Sequence, residues 1–268
     1  VSLLAQPVLA RPDAPLARAN PVAKLGIAFI VTAALLPTVD PVTPALLLVV
    51  ELACLPLTGL RVGQLLRRGW TILVAALGVG VSNTLFAGDK TGTVLLDWWQ
   101  ITVTTGALAD GASLAIRVIA IALPGVLALA TTDPTDLADA LVQQLRVPWR
   151  FAFGALAAMR LLPLFAAEWR TIGLARRARG LEAGRSPVAK VRLFGSQVFA
   201  LLVGAIRRGV RMATAMDARG FGSRRGRTYA RVQRMHSSDW GLLAAAVAVA
   251  VAATAVSIAL GTWQLVLT

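Results

Sequence analysis

Residues 241–261, GLLAAAVAVAVAATAVSIALG, carry no charged side chain. In a bilayer, where no water pairs a free amide, such a run is stable only as a helix, and about 20 apolar residues cover the hydrocarbon. Residues 69–88, GWTILVAALGVGVSNTLFAG, pass the same test. The composition agrees: of 268 residues 57% are hydrophobic and 15% charged, and mean hydropathy is +0.70. A water-soluble fold is excluded by these runs rather than by the average.

Membrane helices are expected at about 22–37, 42–60, 69–88, 104–131 and 239–262. Pro37, Asp40 and Pro41 make the first two a tight hairpin. The segment RVGQLLRR, 61–68, carries three arginines and is expected on the cytoplasmic side. The loop GDKTGTVLLDWWQ, 88–100, is mildly acidic, and its Trp98 and Trp99 suit the opposite interface. With the N-terminus inside, the fourth helix then returns to the cytoplasm near Thr132. The fifth starts at Asp239 and Trp240 and leaves the C-terminus outside; two extra spans within 150–206 would give seven and keep that orientation. The first 20 residues read as a polar lead-in, not a cleaved signal peptide.

The net charge of +14 would suggest nucleic acid in a soluble protein, but 19 of the 27 Lys and Arg residues fall between Arg146 and Arg234. That segment is not expected to show the interleaved exposed aromatics of a strand-binding groove, so the positive-inside rule is the preferred account of the charge and no nucleic-acid partner is expected. Uncharged runs here are short: FAFGALAAM (151–159), LLPLFAA (161–167) and LFGSQVFALLVGAI (193–206). They suit long helices in or beneath the membrane surface. Three regions follow: membrane helices in 1–132, a cytoplasmic domain in 133–236 and a last membrane helix in 237–268.

Within the middle region, Asp133 and Pro134 form a helix start, and apolar positions 137, 138, 141, 142 and 145 mark one helical face that stops near Pro148. Further helices are expected over about 149–179 and 187–219. Each ends on Ala-Arg-Gly: Ala178, Arg179 and Gly180 in LARRARG, then Ala218, Arg219 and Gly220 in TAMDARG. A glycine helix stop beside an arginine that complements the helix dipole accounts for either copy alone.

Catalytic chemistry has little to work with. The chain has one His, one Cys, one Tyr and thirteen carboxylates, with no HExxH, CxxC or GxSxG. His236 reads as a loop residue, and Cys54 has no intramolecular partner. AGDKTG, 87–92, lacks the glycine spacing of a phosphate loop, and Asp89 beside Lys90 would repel a nucleotide. No catalytic residue, metal site or cofactor is expected, so any ATP dependence must come from a partner.

Two charges fall inside expected spans, Glu51 and Arg117. Intramembrane charges usually face the bundle interior. A Glu51–Arg117 pair joining the second and fourth helices is the preferred reading, with Asp110 as the competing partner of Arg117. A structural clamp is preferred over a substrate or proton site because no chain of ionisable residues continues from either.

Several motifs in order resemble the transmembrane T component of energy-coupling factor transporters, a vitamin and metal-ion uptake branch of the ATP-binding-cassette systems. ANPVAKLGIAF is similar to that family's Asp-Pro-x-x-Lys-Leu opening, with Asn20 in place of the acid. TTDPTDLADAL, then VPWRFAFGALAAMRLLPLFAAEWRTIGLARRARG, is similar to its Thr-x-Pro, Arg-x-x-Pro and Ala-Arg-Gly pattern, and AMDARGF supplies the second signature.

The resemblance implies an all-α polytopic membrane protein with about five transmembrane helices and a cytoplasmic coupling domain of long interfacial helices. It implies a bacterial or archaeal plasma membrane, two ATPase subunits, a membrane-embedded S component and surrounding lipid as partners. Arg179 and Arg219 would each enter a groove on an ATPase, while Arg176, Arg177, Arg224, Arg225 and Arg227 would serve general attraction. Gly154, Ala155, Ala157, Ala158, Gly195 and Gly204 would offer packing surfaces to the S component or between the helices. ATP-driven motion would pass through this non-catalytic chain, with the substrate chosen by the S component. The alternative is an independent secondary transporter.

Overall fold

The computed structural model describes residues 14–38, 40–60, 62–86, 92–98, 101–181, 184, 186–221 and 229–263. The Asp89–Lys90 loop, Trp99, Arg224, Arg225 and Arg227 lie outside them. The described chain runs α1 (Pro15–Arg18), α2 (Pro21–Leu35), α3 (Val42–Cys54) with a 3-10 turn (Leu55–Thr58), and α4 (Val62–Phe86). Strands β1 (Val94–Trp98) and β2 (Ile101–Thr104) follow, then α5 (Thr105–Ala130), α6 (Pro134–Gln144), α7 (Trp149–Ala178), α8 (Pro187–Ala218) and α9 (Ser237–Ala259). This is an all-α polytopic membrane protein with one small hairpin.

Helix starts follow local chemistry. Asn20 accepts from Val22 N–H with Pro21 in the first helical position. Thr104 accepts from Ala107 N–H, Asp133 from Thr135 N–H before Pro134, and Ser186 from Ala189 N–H before Pro187. Each side chain satisfies an amide that a helix start leaves free.

β1 falls within the segment 88–100 expected as a loop and pairs antiparallel with β2 just after it, with Trp98 opposite Ile101 and an irregularity between Val94 and Leu96. The β2 run ITVT, four consecutive β-branched residues, is the local reason.

Residues Val147–Val232 form one compact unit; Pro7–Arg146 and Gln233–Thr268 form another. In the second, α2, α3, α5 and α9 close around Val31, Leu35, Leu47, Ala120 and Ala253. α4 lies against α5 through bare backbone: a Cβ at Gly80 would come 2.9 Å from the Gly111 carbonyl oxygen, and one at Gly111 would come 2.5 Å from that of Gly80. Small residues permit this approach, which is how helices gain contact in lipid. Leu77 and Phe86 on α4 and Val251 on α9 remain exposed, as a lipid-facing surface requires.

Among the described residues, five helical segments are long and apolar enough to cross a membrane: 69–86, α5, α7, α8 and α9. The set differs from the expected one at two places. α2 and α3 are shorter, roughly 20 Å each at 1.5 Å per residue, whereas α7 and α8 reach the required length. α7 does so with Arg160 well inside it.

Candidate functional site

In the unit of α7 and α8, side-chain contacts pair the start of each helix with the end of the other. Trp149 meets Phe221 edge-on with ring centroids 4.4 Å apart. Arg208 forms an ion pair with Glu168 at 3.1 Å and lies over Phe165. Gln197 Nε2 donates to the Trp169 carbonyl at 2.8 Å, and Arg176 Nη1 donates to Leu193 O and Ser196 Oγ at 2.9 and 2.7 Å. The two helices are therefore antiparallel. Their C-terminal ends, which carry Arg179 and Arg219, lie at opposite ends of the pair, separated by roughly the 45 Å length of a 30-residue helix.

The two ends have the same backbone. Gly180 N–H donates to Arg177 O and Leu181 N–H to Arg176 O; Gly220 N–H donates to Asp217 O and Phe221 N–H to Met216 O. These are matching Schellman closures. The glycines hold φ of 70° and 77°, and no heavy atom lies within 4 Å of a Cβ built at either, so the left-handed backbone rather than space requires glycine. Arg179 and Arg219 are the C-caps, with φ and ψ of −91° and 8° and of −85° and 7°. Both arginines, with Ala178 and Ala218 before them, are exposed.

Arg176, which the sequence offered only as one more surface charge, is instead folded back onto α8 by the bonds just given. Arg177 remains exposed. The two ends differ in anchorage: Phe221 packs on Trp149 and Phe153, whereas Leu181 in the matching position is 53% exposed. Nothing in the spacing of the two signatures foretold this. An aromatic directly after the second Ala-Arg-Gly was the available signal.

In the bundle unit, Glu51 and Arg117 are not joined by a hydrogen bond or ion pair. Arg117 Nη2 donates to Thr38 Oγ1 at 3.3 Å. Both carboxylate oxygens of Glu51 are buried without a hydrogen-bond partner. The reason is axial: Thr38 precedes α3, while Glu51 lies about 13 Å along that helix from Val42. Asp110 sits exposed near the start of α5.

The polar cluster that does form centres on Asp40, which the sequence suggested only as a turn residue. Its Oδ2 accepts from Thr43 N–H at 2.7 Å, from Thr43 Oγ1 and from Ser257 Oγ at 2.6 Å. Burial pushes its carboxyl up, but the bonds from Ser257, Thr43 and Thr38 outweigh that and hold it below the ordinary carboxylate value. The cluster ties the α2–α3 turn to α9, with Arg117 of α5 adjacent. Among the described residues no group of three or more His, Cys, Asp or Glu could hold a metal ion.

With this geometry in view, comparison with family models matches residues 13–230 to CbiQ, the cobalt transport protein family. The chain belongs to that family. The match runs from α1 through α8 and so takes in both Ala-Arg-Gly ends. Among family relatives, energy-coupling factor transporter transmembrane protein EcfT 1 of Listeria monocytogenes is 29% identical over 213 residues, 76% of this chain and 79% of its own length. EcfT of Lacticaseibacillus paracasei is 28% identical over 206 residues, 74% and 77%. EcfT of Exiguobacterium sibiricum is 26% identical over 239 residues, 86% and 90%. A transporter membrane component is thus the family character.

Proposed function

We propose that this chain is the non-catalytic coupling subunit of an energy-coupling factor importer, carrying ATP-driven motion of two ATPase subunits to a membrane-embedded S component that binds a vitamin or metal ion. The observation that carries the reading is the pair of exposed arginines on identical helix ends at opposite extremes of α7 and α8. Two equal contacts roughly 45 Å apart suit a pair of ATPases that move relative to one another. Each guanidinium can meet a carboxylate bidentately, and the following glycine lets a partner surface approach the backbone. The names of the relatives support the same assignment.

In this reading the N-terminus and the α7–α8 unit face the cytoplasm, as the arginine distribution favours. Phe194, Phe199, Leu202 and Ile206, all exposed on α8, with Gly154 and Gly195 also exposed, would meet the S component and lipid. Cargo is set by the S component.

The test is co-purification with the ATPase pair and substrate uptake, comparing the parent with Arg179→Glu, Arg219→Glu and the double variant. Each single change should weaken association about tenfold or more and the double should abolish it. Undiminished association and uptake in the double variant would sink the proposal. The buried, unpartnered Glu51 favours a second reading, an independent secondary transporter. Uptake by the chain alone in liposomes, without ATPases, would select it.

A further inference from the structure

The chain leaves the bundle unit after Arg146 and re-enters it at Gln233. The two passages are tied to each other within that unit: Gln233 N–H donates to Gln143 Oε1 at 2.9 Å, and its Nε2 reaches Asp136 Oδ1 at 3.5 Å. One residue further on, the Arg234 carbonyl accepts from Asn20 Nδ2 at 3.2 Å, and Asp239 Oδ1 accepts from Asn20 N–H at 2.9 Å. One turn along α2, Lys24 Nζ donates to Ala17 O and to Thr131 O at 2.9 and 3.0 Å, the latter at the cap of α5 that precedes the outgoing helix α6. The start of α2 therefore grips both the departing and the returning chain.

Helix capping explains only part of this. The Asn20 Oδ1 bond to Val22 N–H is local, but the other two Asn20 bonds span 219 and 214 residues of sequence. The outgoing passage also carries a strained residue. Arg146 holds φ of 54°, uncommon for a residue with a side chain, and Pro148 holds φ of −55° two residues later. Such a conformation persists only where surrounding bonds determine it.

We infer that Asn20, Lys24, Gln143 and Gln233 form a positioning joint, which keeps both passages rigid so that displacement of α7 and α8 reaches the membrane helices instead of being lost in two loose linkers. The inference rests on the coupling reading above. These residues touch neither nucleotide nor substrate; they act by fixing where a force enters the bundle.

Two variants loosen the joint in different ways: Gln143→Leu removes the acceptor for Gln233 N–H, and Lys24→Met removes the donor to Ala17 O and Thr131 O. Gln143→Glu keeps an acceptor oxygen and serves as rescue. In full-length chain carrying Cys54→Ser, nitroxides at Leu66→Cys and Val188→Cys report the distance between the two units in lipid nanodiscs. Both loosening variants should broaden that distribution, and Gln143→Glu should restore it. In the complex with ATPases, uptake per ATP hydrolysed should fall at least about fivefold while ATPase association holds. A distribution as narrow as the parent's, or an unchanged uptake per ATP, overturns the joint. The spectroscopic arm uses this chain alone, so failure of the parent to bind ATPases would sink the coupling reading while the distances still judge the joint.

Discussion

Phe221 sets its ring edge-on to Trp149, with planes at 85°, and so fastens the chain just past Arg219 to the first residue of α7. Aromatic pairs of this kind contribute about 0.5–1.5 kcal/mol beyond their buried area. Phe221→Ala should therefore lower the thermal midpoint and weaken ATPase binding, whereas Leu181→Ala, at the exposed counterpart, should leave stability unchanged. A double-mutant cycle with Trp149→Ala checks that the loss belongs to this pair. Equal effects of Phe221→Ala in the presence and absence of Trp149 would show that it does not.

Gly180→Ala and Gly220→Ala should each cost about 1–2 kcal/mol, the penalty for a Cβ in the left-handed region. No steric cost adds to it, because space around both positions is open. Equilibrium unfolding measures the cost, and under the proposed coupling role binding to ATPases should weaken in parallel as each arginine loses its fixed exit direction.

Arg176→Ala and Arg177→Ala should separate. The first removes bonds to Leu193 O and Ser196 Oγ and should cost about 1–2 kcal/mol. The second removes an exposed charge and should shift stability by less than about 0.5 kcal/mol. Thermal denaturation of the two variants side by side decides the matter.

Asp40 predicts an acid limb to stability. Its carboxyl is held below the ordinary value of 3.8 by hydrogen bonds that require the charged form. The contribution is complete above that value and is lost as pH falls through the lower folded-state value. Asp40→Asn should flatten the limb in a thermal-midpoint profile against pH, and Ser257→Ala should shrink it.

Glu51→Gln should leave the thermal midpoint unchanged or raise it, since the carboxylate oxygens have no hydrogen-bond partner to lose and an intramembrane charge is costly. A fall of the midpoint would mean that Glu51 has a charged partner in the membrane.

Helix positions were largely legible because lipid imposes one answer on the backbone: a run such as 241–261 must be helical, and Asp133-Pro134 must begin a helix where its cap can form. The hairpin at 94–104 escaped notice because two strands of five and four residues leave little periodic signal. The structure shows no hydrogen bond joining Glu51 and Arg117, for a different reason. Sequence places both charges inside spans, but which charge meets which depends on the axial offset of α3 and α5, and that is set by packing.

The sequence by itself determined that this chain enters a membrane, that its AGDKTG stretch does not have the glycine spacing of a phosphate loop, and that Ala-Arg-Gly closes two long helices. Those facts follow from local chemistry: uncharged length, residue spacing and the conformational freedom of glycine. Only the tertiary structure decided that Arg176 is engaged while Arg179 is exposed, that Asp40 rather than Glu51 anchors the polar cluster near Arg117, and that the two signatures face opposite ends of one antiparallel pair. Each of those depends on which residues, distant in sequence, come within a few ångströms, because hydrogen bonds and ring contacts act only at that range.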